Sequence, residues 1–402
     1  MQKCKLSEIA DLTVGYVGNM KAEYVEKGIP FLRSLNISRF NIKDDDLMYI
    51  SKEFNKNLLK SELHTGDVVV VRTGIPGTCA VIPPQYNGAN CSDLVIIRPH
   101  KGINPHFIAA FINFWGQKQI ANAKVGAVQK HFNVGAAKDM TIFLPDNQDS
   151  IANYLTALND KISNNQRIIS TLESLSKTLY DYYFLQFDFP DEKGRPYKSN
   201  GGKMEYNAEL GREIPAGWKC KSVKDICDIQ YGYPFDTALF SDEKGIPVVR
   251  IRDIQELSTS AYTTEEVDNK YLLKRNDLIV GMDGNFHMNF WAGKESLLNQ
   301  RIFRIRGKED VSTLSVYFAI KPYIEHREKN VTRTTVGHLS DYDVKLLKIV
   351  LPNDIELRKK IANKFETLLN QITQIREENW ELASLRDFLL PMLMNGQVGF
   401  KK

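Results

Sequence analysis

The chain has 402 residues, 43% hydrophobic and 25% charged, with a formal net charge of +4 from 53 basic and 49 acidic residues. That is the composition of an ordinary soluble globular protein with room for two or three domains, and no apolar run approaches the ~20 residues a membrane span needs. The near-balanced charge permits a polyanionic partner without requiring one.

In chain order, the amphipathic start through Leu6, Glu8 and Asp11 shows no targeting signal, so the cytoplasm is the expected compartment. Residues 6–12 read as a short helix or strand leading to Gly15-Tyr16. After the turn Gly28-Ile29-Pro30, residues 31–37 read as a strand. Four consecutive valines, Val68 to Val71, predict a strand buried on both faces, ending in the loop Arg72-Thr73-Gly74. Leu94 to Arg98 is another strand, and residues 107–121 have helical spacing. A polar loop, Gln129-Lys130-His131, precedes a closing strand at Thr141 to Pro145. The five cysteines, Cys4, Cys79, Cys91, Cys220 and Cys227, form no C-x-x-C pair, which predicts reduced, mostly buried thiols rather than zinc.

From 148 to 187 the apolar residues Ile151, Leu155, Leu158, Ile162, Ile169, Leu172 and Leu179 step by four and three, with Asn165 and Ser176 in two seam positions. This is coiled-coil spacing. A second copy places Ile361, Phe365, Leu368, Ile372, Ile375, Leu382 and Leu389 along 354–395, with Ile151 matching Ile361 at an offset of 210 (361 − 151). Each apolar seam needs a partner, and the other copy supplies it, so the two predict one intramolecular coiled coil. Some 36 residues of helix reach roughly 54 Å at ~1.5 Å each, enough to span one DNA turn of ~34–36 Å.

The lobe before each helix is also repeated. Gly28-Ile29-Pro30 recurs as Gly245-Ile246-Pro247 at an offset of 217 (245 − 28), which pairs Arg33 with Arg250, Asn36 with Asp253 and Gly15-Tyr16 with Gly232-Tyr233. Gly66-Asp67 returns as Asn276-Asp277, Thr73-Gly74 as Asp283-Gly284, and His131 as His338. Between the copies, 190–218 is rich in glycine and proline and reads as a linker rather than a core element. Pro391 is expected to stop or kink the last helix. The fold class is α/β (α+β), a tandem duplication of a sheet-containing lobe plus a long helix with pseudo-twofold symmetry.

Catalytic signatures are missing: no phosphate loop, no G-x-G-x-x-G, no H-E-x-x-H, no G-x-S-x-G, and no N-P-P-Y or D-P-P-Y segment. The polar loops instead suit nucleic acid. Gln129, Lys130 and His131 in the first lobe, and Arg333, Thr334, Thr335 and His338 in the second, supply donors for phosphates and base edges. The strand ends add Arg33, Arg72 and Thr73, then Arg250, Arg252, Asp283 and Asn285. The bland alternatives are solvated turns and salt bridges within a lobe. For Phe286, Phe290 and Trp291, core packing is the better reading than stacking on bases.

Over essentially its whole length the chain resembles the specificity subunit of type I restriction–modification systems. The carriers are Gly194-Arg195-Pro196-Tyr197-Lys198-Ser199-Asn200-Gly201-Gly202-Lys203-Met204, then Glu213-Ile214-Pro215-Ala216-Gly217-Trp218, and Leu389-Leu390-Pro391-Met392-Leu393-Met394-Asn395-Gly396, where the family more often has Lys than Met392. The Gly-Ile-Pro turns and the lysine–histidine loop also match, although Gly337 stands where the first lobe has Lys130.

The resemblance implies target recognition domains at 1–147 and 218–352, conserved helices at 148–187 and 353–395 in an antiparallel coiled coil, a linker at 188–217 and a tail at 396–402. It implies a non-catalytic subunit whose lobes each read half of a bipartite, gapped site in double-stranded DNA. The coiled coil would set the gap and dock two methyltransferase subunits, with motor–nuclease subunits joining that core. By the same resemblance S-adenosylmethionine, ATP and Mg would belong to those partners, and no cofactor, metal or membrane is expected for this chain. The alternative is a non-catalytic protein-interaction scaffold whose lobes bind proteins rather than DNA.

Overall fold

The computed structural model describes residues 2–124, 132–330 and 337–399. It divides into two compact units, Met1–Ser163 with Glu381–Lys402, and Asn164–Trp380. Each unit holds one lobe and the adjoining parts of both long helices.

In the first lobe an antiparallel sheet runs in the order Ala10–Val14, Leu94–Pro99, Val68–Val71, Cys79–Val81. All four valines are buried because side chains alternate across a strand and this sheet has a core on each face. Val68 and Val70 join Val95, Ile97 and Phe107 on one side; Val69 and Val71 join Leu94, Ile96 and Leu32 on the other. A second sheet pairs Ile29–Leu32 in parallel with Asn90–Cys91, and the closing strand Thr141–Leu144 pairs with Gln2–Lys5. The strand expected through residue 37 ends at Leu32, because residues 33–36 turn back on themselves. The helix expected over 107–121 is two helices, Pro105–Phe114 and Gly116–Lys124, the first capped by the Asn104 side chain accepting from the His106 N–H at 3.0 Å.

The second lobe repeats the topology: Cys227–Tyr231, Ile302–Gly307, Leu278–Gly281, Met288–Phe290 in one sheet, Ile246–Val249 parallel to Ser296–Leu298, and Trp218–Ser222 against Lys348–Pro352. Phe286, Phe290 and Trp291 are buried in its cores. The glycine-rich stretch expected to be a linker is instead built into the core. Met204–Asn207 and Arg212–Pro215 form a hairpin, Ile214 and Trp218 are buried, and the Phe189 ring stacks on both Tyr197 and Trp218 at 4.7 and 4.9 Å. Glycine and proline mark its turns, but burial of the aromatic side chains between those turns outweighs that signal.

Helices α1 (Gln148–Tyr180) and α2 (Ile355–Met394) pack antiparallel. In the first unit Arg386 donates to Asn159 at 2.9 Å. In the second unit Asn165 donates to Glu378 at 2.8 Å, Arg376 pairs with Glu173 at 2.7 Å, and the Phe184 and Phe365 rings sit 5.8 Å apart. Ile151, Leu155, Asn165, Ile169 and Ser176 are buried on α1, while Leu158, Ile162, Leu172 and Leu179 are half-buried. On α2, Ile361, Phe365 and Ile372 are buried, but Leu368, Ile375, Leu382 and Leu389 are half-buried, and Leu369, Thr373 and Leu390 take deeper positions. That helix packs on a lobe as well as on α1, so its apolar stripe is wider than a two-residue seam. It runs through Pro391 and ends after Met394, where Gly396 adopts φ +70°.

Candidate nucleic-acid interface

The repeated turns have a structural cause in each lobe. At Arg33 the backbone N–H donates to Asn36 at 3.0 Å and its carbonyl accepts from the Asn36 N–H at 2.9 Å; at Arg250 the matching bonds to Asp253 are 2.9 and 2.8 Å. The Arg33 guanidinium donates to the Asp46 carbonyl, and that of Arg250 donates to the Asp253 carboxylate at 2.9 and 3.2 Å. The backbone of both arginines, candidates for base contact, thus takes part in a turn after a strand, and each guanidinium has a partner within its own lobe. Gly15 and Gly232 repeat for a different reason: a Cβ at either would run into the carbonyl of Cys91 or Asn299 on a neighbouring strand.

The polar residues converge where two antiparallel strands end together. Leu94 lies opposite Val71, which brings Arg72 and Thr73 beside Asp93. Thr73 Oγ1 and Ser34 Oγ donate to the Asp93 carboxylate at 2.8 and 2.9 Å, and the Arg72 N–H donates to the Asp93 carbonyl at 3.3 Å. The Phe132 N–H donates to the Arg72 carbonyl at 3.2 Å, fixing the chain that follows the polar loop. Arg72 is half-buried, with its Nε enclosed and no protein acceptor within hydrogen-bond reach among the described residues.

In the second lobe Ile302 lies opposite Gly281, so Met282 and Asp283 meet Arg301. Asp283 forms a β-bridge with His338, and the Leu339 N–H donates to the Met282 carbonyl at 2.8 Å, the counterpart of the Phe132 bond. His338 Nδ1 donates to the Asp283 carboxylate at 2.7 Å, a direction fixed because a carboxylate can only accept, and Arg301 Nη1 donates to its other oxygen. Burial by itself would raise the Asp283 carboxyl, but the hydrogen bonds and charges of His338 and Arg301 outweigh it and hold the group below its ordinary range. Asp283 is 17% exposed against 60% for Arg301 and 54% for His338, so the acid lies beneath two outward-facing donors.

Arg252 and Asn285 are exposed nearby in sequence to these ends. Gln129, Lys130, His131, Arg333, Thr334 and Thr335 lie outside the described residues. Ser34, Asp93 and Arg301 were not singled out from sequence. The alignment of Leu94–Pro99 with Ile302–Gly307, which matches Arg98 to Arg306, would have put Asp93 and Arg301 in one position. Among the described residues no group of three His, Cys, Asp or Glu side chains could hold a metal, and no helix is long and apolar enough to cross a membrane.

Residues 215–383 match the family model described as the type I restriction modification DNA specificity domain. The Escherichia coli type I restriction enzyme EcoBI specificity subunit is 35% identical over 171 residues, which cover 42% of this chain and 36% of that protein. The Haemophilus influenzae HindI specificity subunit is 23% identical over 347 residues, 70% of this chain and 74% of its own. The crystal structure of the M. genitalium type I restriction–modification S subunit superposes with a TM-score of 0.57 at 14% identity, covering 97% of this chain and 94% of that one, a likeness of fold. The aligned stretch thus spans little more than a third of the E. coli relative, while the lobe-and-helix architecture is matched nearly end to end. Residues 215–383 thus carry the likeness to the type I restriction modification DNA specificity domain, and the duplicated lobes with their paired helices share the fold of the M. genitalium S subunit.

Proposed function

We propose that this chain is the non-catalytic DNA-recognition subunit of a type I restriction–modification enzyme. Each lobe contacts one half of a bipartite site in double-stranded DNA through its strand-end face, and the paired helices set the unread gap and dock two methyltransferase subunits. Those subunits supply S-adenosylmethionine and the methyl transfer; motor–nuclease subunits supply ATP- and Mg-dependent cleavage. The observation behind this reading is the strand-end constellation, which recurs at matching topological positions in both lobes while its side chains differ. Retained geometry with changed chemistry suits two readers of different sequences. The test is to express the chain with its cognate methyltransferase subunit and sequence the modified DNA. One gapped, asymmetric motif that appears only with both chains is the expected result; stable copurification with no motif would reject the reading.

A further inference from the structure

Resting on that reading, we infer that Arg301 is the base-reading residue of the second lobe, recognising a guanine in its half-site, and that Asp283 is the positioning residue that aims it. Arg301 stands at the head of Ile302–Gly307, in the position that Asp93 occupies at the head of Leu94–Pro99. The framework around that position is repeated, but its chemistry is inverted: an acceptor in the first lobe, a donor in the second. In the first lobe the carboxylate is satisfied by the hydroxyls of Thr73 and Ser34. In the second, Asp283 replaces Thr73 and takes the acceptor role, leaving the outward position to the guanidinium.

The geometry favours a base edge over a phosphate. A guanidinium tied at Nη1 keeps its Nη2 and Nε donors coplanar and side by side, the spacing that matches the O6 and N7 acceptors of guanine. The tie to a mostly buried carboxylate removes rotamer freedom before binding, so less ordering is required when the base arrives. His338 holds the same carboxylate from the other side and is anchored by the backbone bridge to Asp283, which stops the acid from swinging out with the arginine. An exposed arginine used only for phosphate attraction would need none of this support.

The test is modified-base sequencing of DNA methylated by the complete methyltransferase carrying Arg301→Ala, Arg301→Lys or Asp283→Asn. For Arg301→Ala the expected result is relaxation at one guanine-containing position of one half-site, by roughly 10- to 100-fold in discrimination, with the other half-site unchanged. Arg301→Lys should not restore it, because an ammonium lacks the planar pair of donors. Asp283→Asn should relax the same position to a lesser degree without changing the rest of the motif, an outcome that a general loss of folding would not produce. Uniform weakening across all sequences, rescue by lysine, or an unchanged motif would each overturn the assignment. If the wild-type complex gave no bipartite motif, the recognition reading itself would fail, a result separate from a wild-type motif that Arg301→Ala leaves intact.

Discussion

Arg306 clamps Asp277 with two parallel hydrogen bonds, Nε at 2.6 Å and Nη2 at 2.7 Å, at the base of the central strand of the second lobe. The same pair in the first lobe, Arg98 and Asp67, is looser, with a single contact at 3.5 Å. Both acids also accept a backbone N–H from the turn before the strand, His64 at 2.9 Å and Lys274 at 2.7 Å, and that turn has positive φ at Gly66 and Asn276. Asp277 is 1% exposed and Arg306 32% exposed, so removing the acid strands a half-buried cation and an unpaired N–H. Asp277→Ala should destabilise the protein by about 3 kcal/mol in denaturant unfolding.

At Asp67 burial outweighs the help from the His64 N–H and Arg98, and its carboxyl is raised above the ordinary value. The sign follows: between the ordinary value and the raised one the folded state binds the extra proton, so this group lowers stability as pH rises. Asp67→Asn should therefore cost less at neutral pH than Asp277→Asn, and equal losses in paired unfolding curves would contradict this account.

Asn165 is buried in the helix seam and donates to both Glu378 and Asn379, at 2.8 and 2.9 Å. A polar group in this position is satisfied only in one register of α1 against α2. Asn165→Ala should destabilise by about 1–3 kcal/mol, because it removes two part-buried hydrogen bonds across the seam. Asn165→Leu should recover part of that stability but lose register, visible as reduced unfolding cooperativity.

Acid should weaken the second lobe at a definite place. Hydrogen bonds from Lys345, Tyr231 and Lys224 put the Asp341 carboxyl at about 2, below the ordinary 3.8. A lowered acid contributes stability that is fully present above the ordinary value and is lost as pH falls through the folded one. The stability difference between wild type and Asp341→Asn should hold constant above pH 5 and shrink between about pH 4 and 2. A difference that does not change with pH, measured by thermal unfolding, would show that the group does not titrate in this window.

Arg72 reaches the strand-end face of the first lobe with its Nε enclosed and its side chain only half-buried. Arg72→Ala should reduce binding at one half-site by ~1–3 kcal/mol if the contact is bidentate to a base. In salt-titrated binding assays an equal loss on all sequences, with a reduced salt slope, would make it a phosphate contact.

Adding one heptad to each long helix lengthens the pair by about 10 Å, or about three base pairs at ~3.4 Å each. The methylated motif should keep both half-sites and accept a longer gap. An unchanged gap would show that the helices do not set it.

Much of this architecture is local and was legible in the sequence. Valines 68–71 declared a strand buried on both faces and the four-and-three spacing declared the helices, because each signal depends only on residues near one another along the chain, and repeated short motifs declared the duplication. The expectations that changed all turn on partners distant in sequence. Residues 188–217 read as a linker until Phe189, Ile214 and Trp218 found a core, and Leu369 displaced Leu368 because α2 faces a lobe as well as α1. Arg301 gave no signal of its own, since its relation to Asp283 and His338 exists only once two strand ends and a distant loop are brought together. Periodicity along the chain determined the elements and their duplication. Which donors face outward was decided by tertiary packing, since a carboxylate accepts from whichever donors the fold delivers to it.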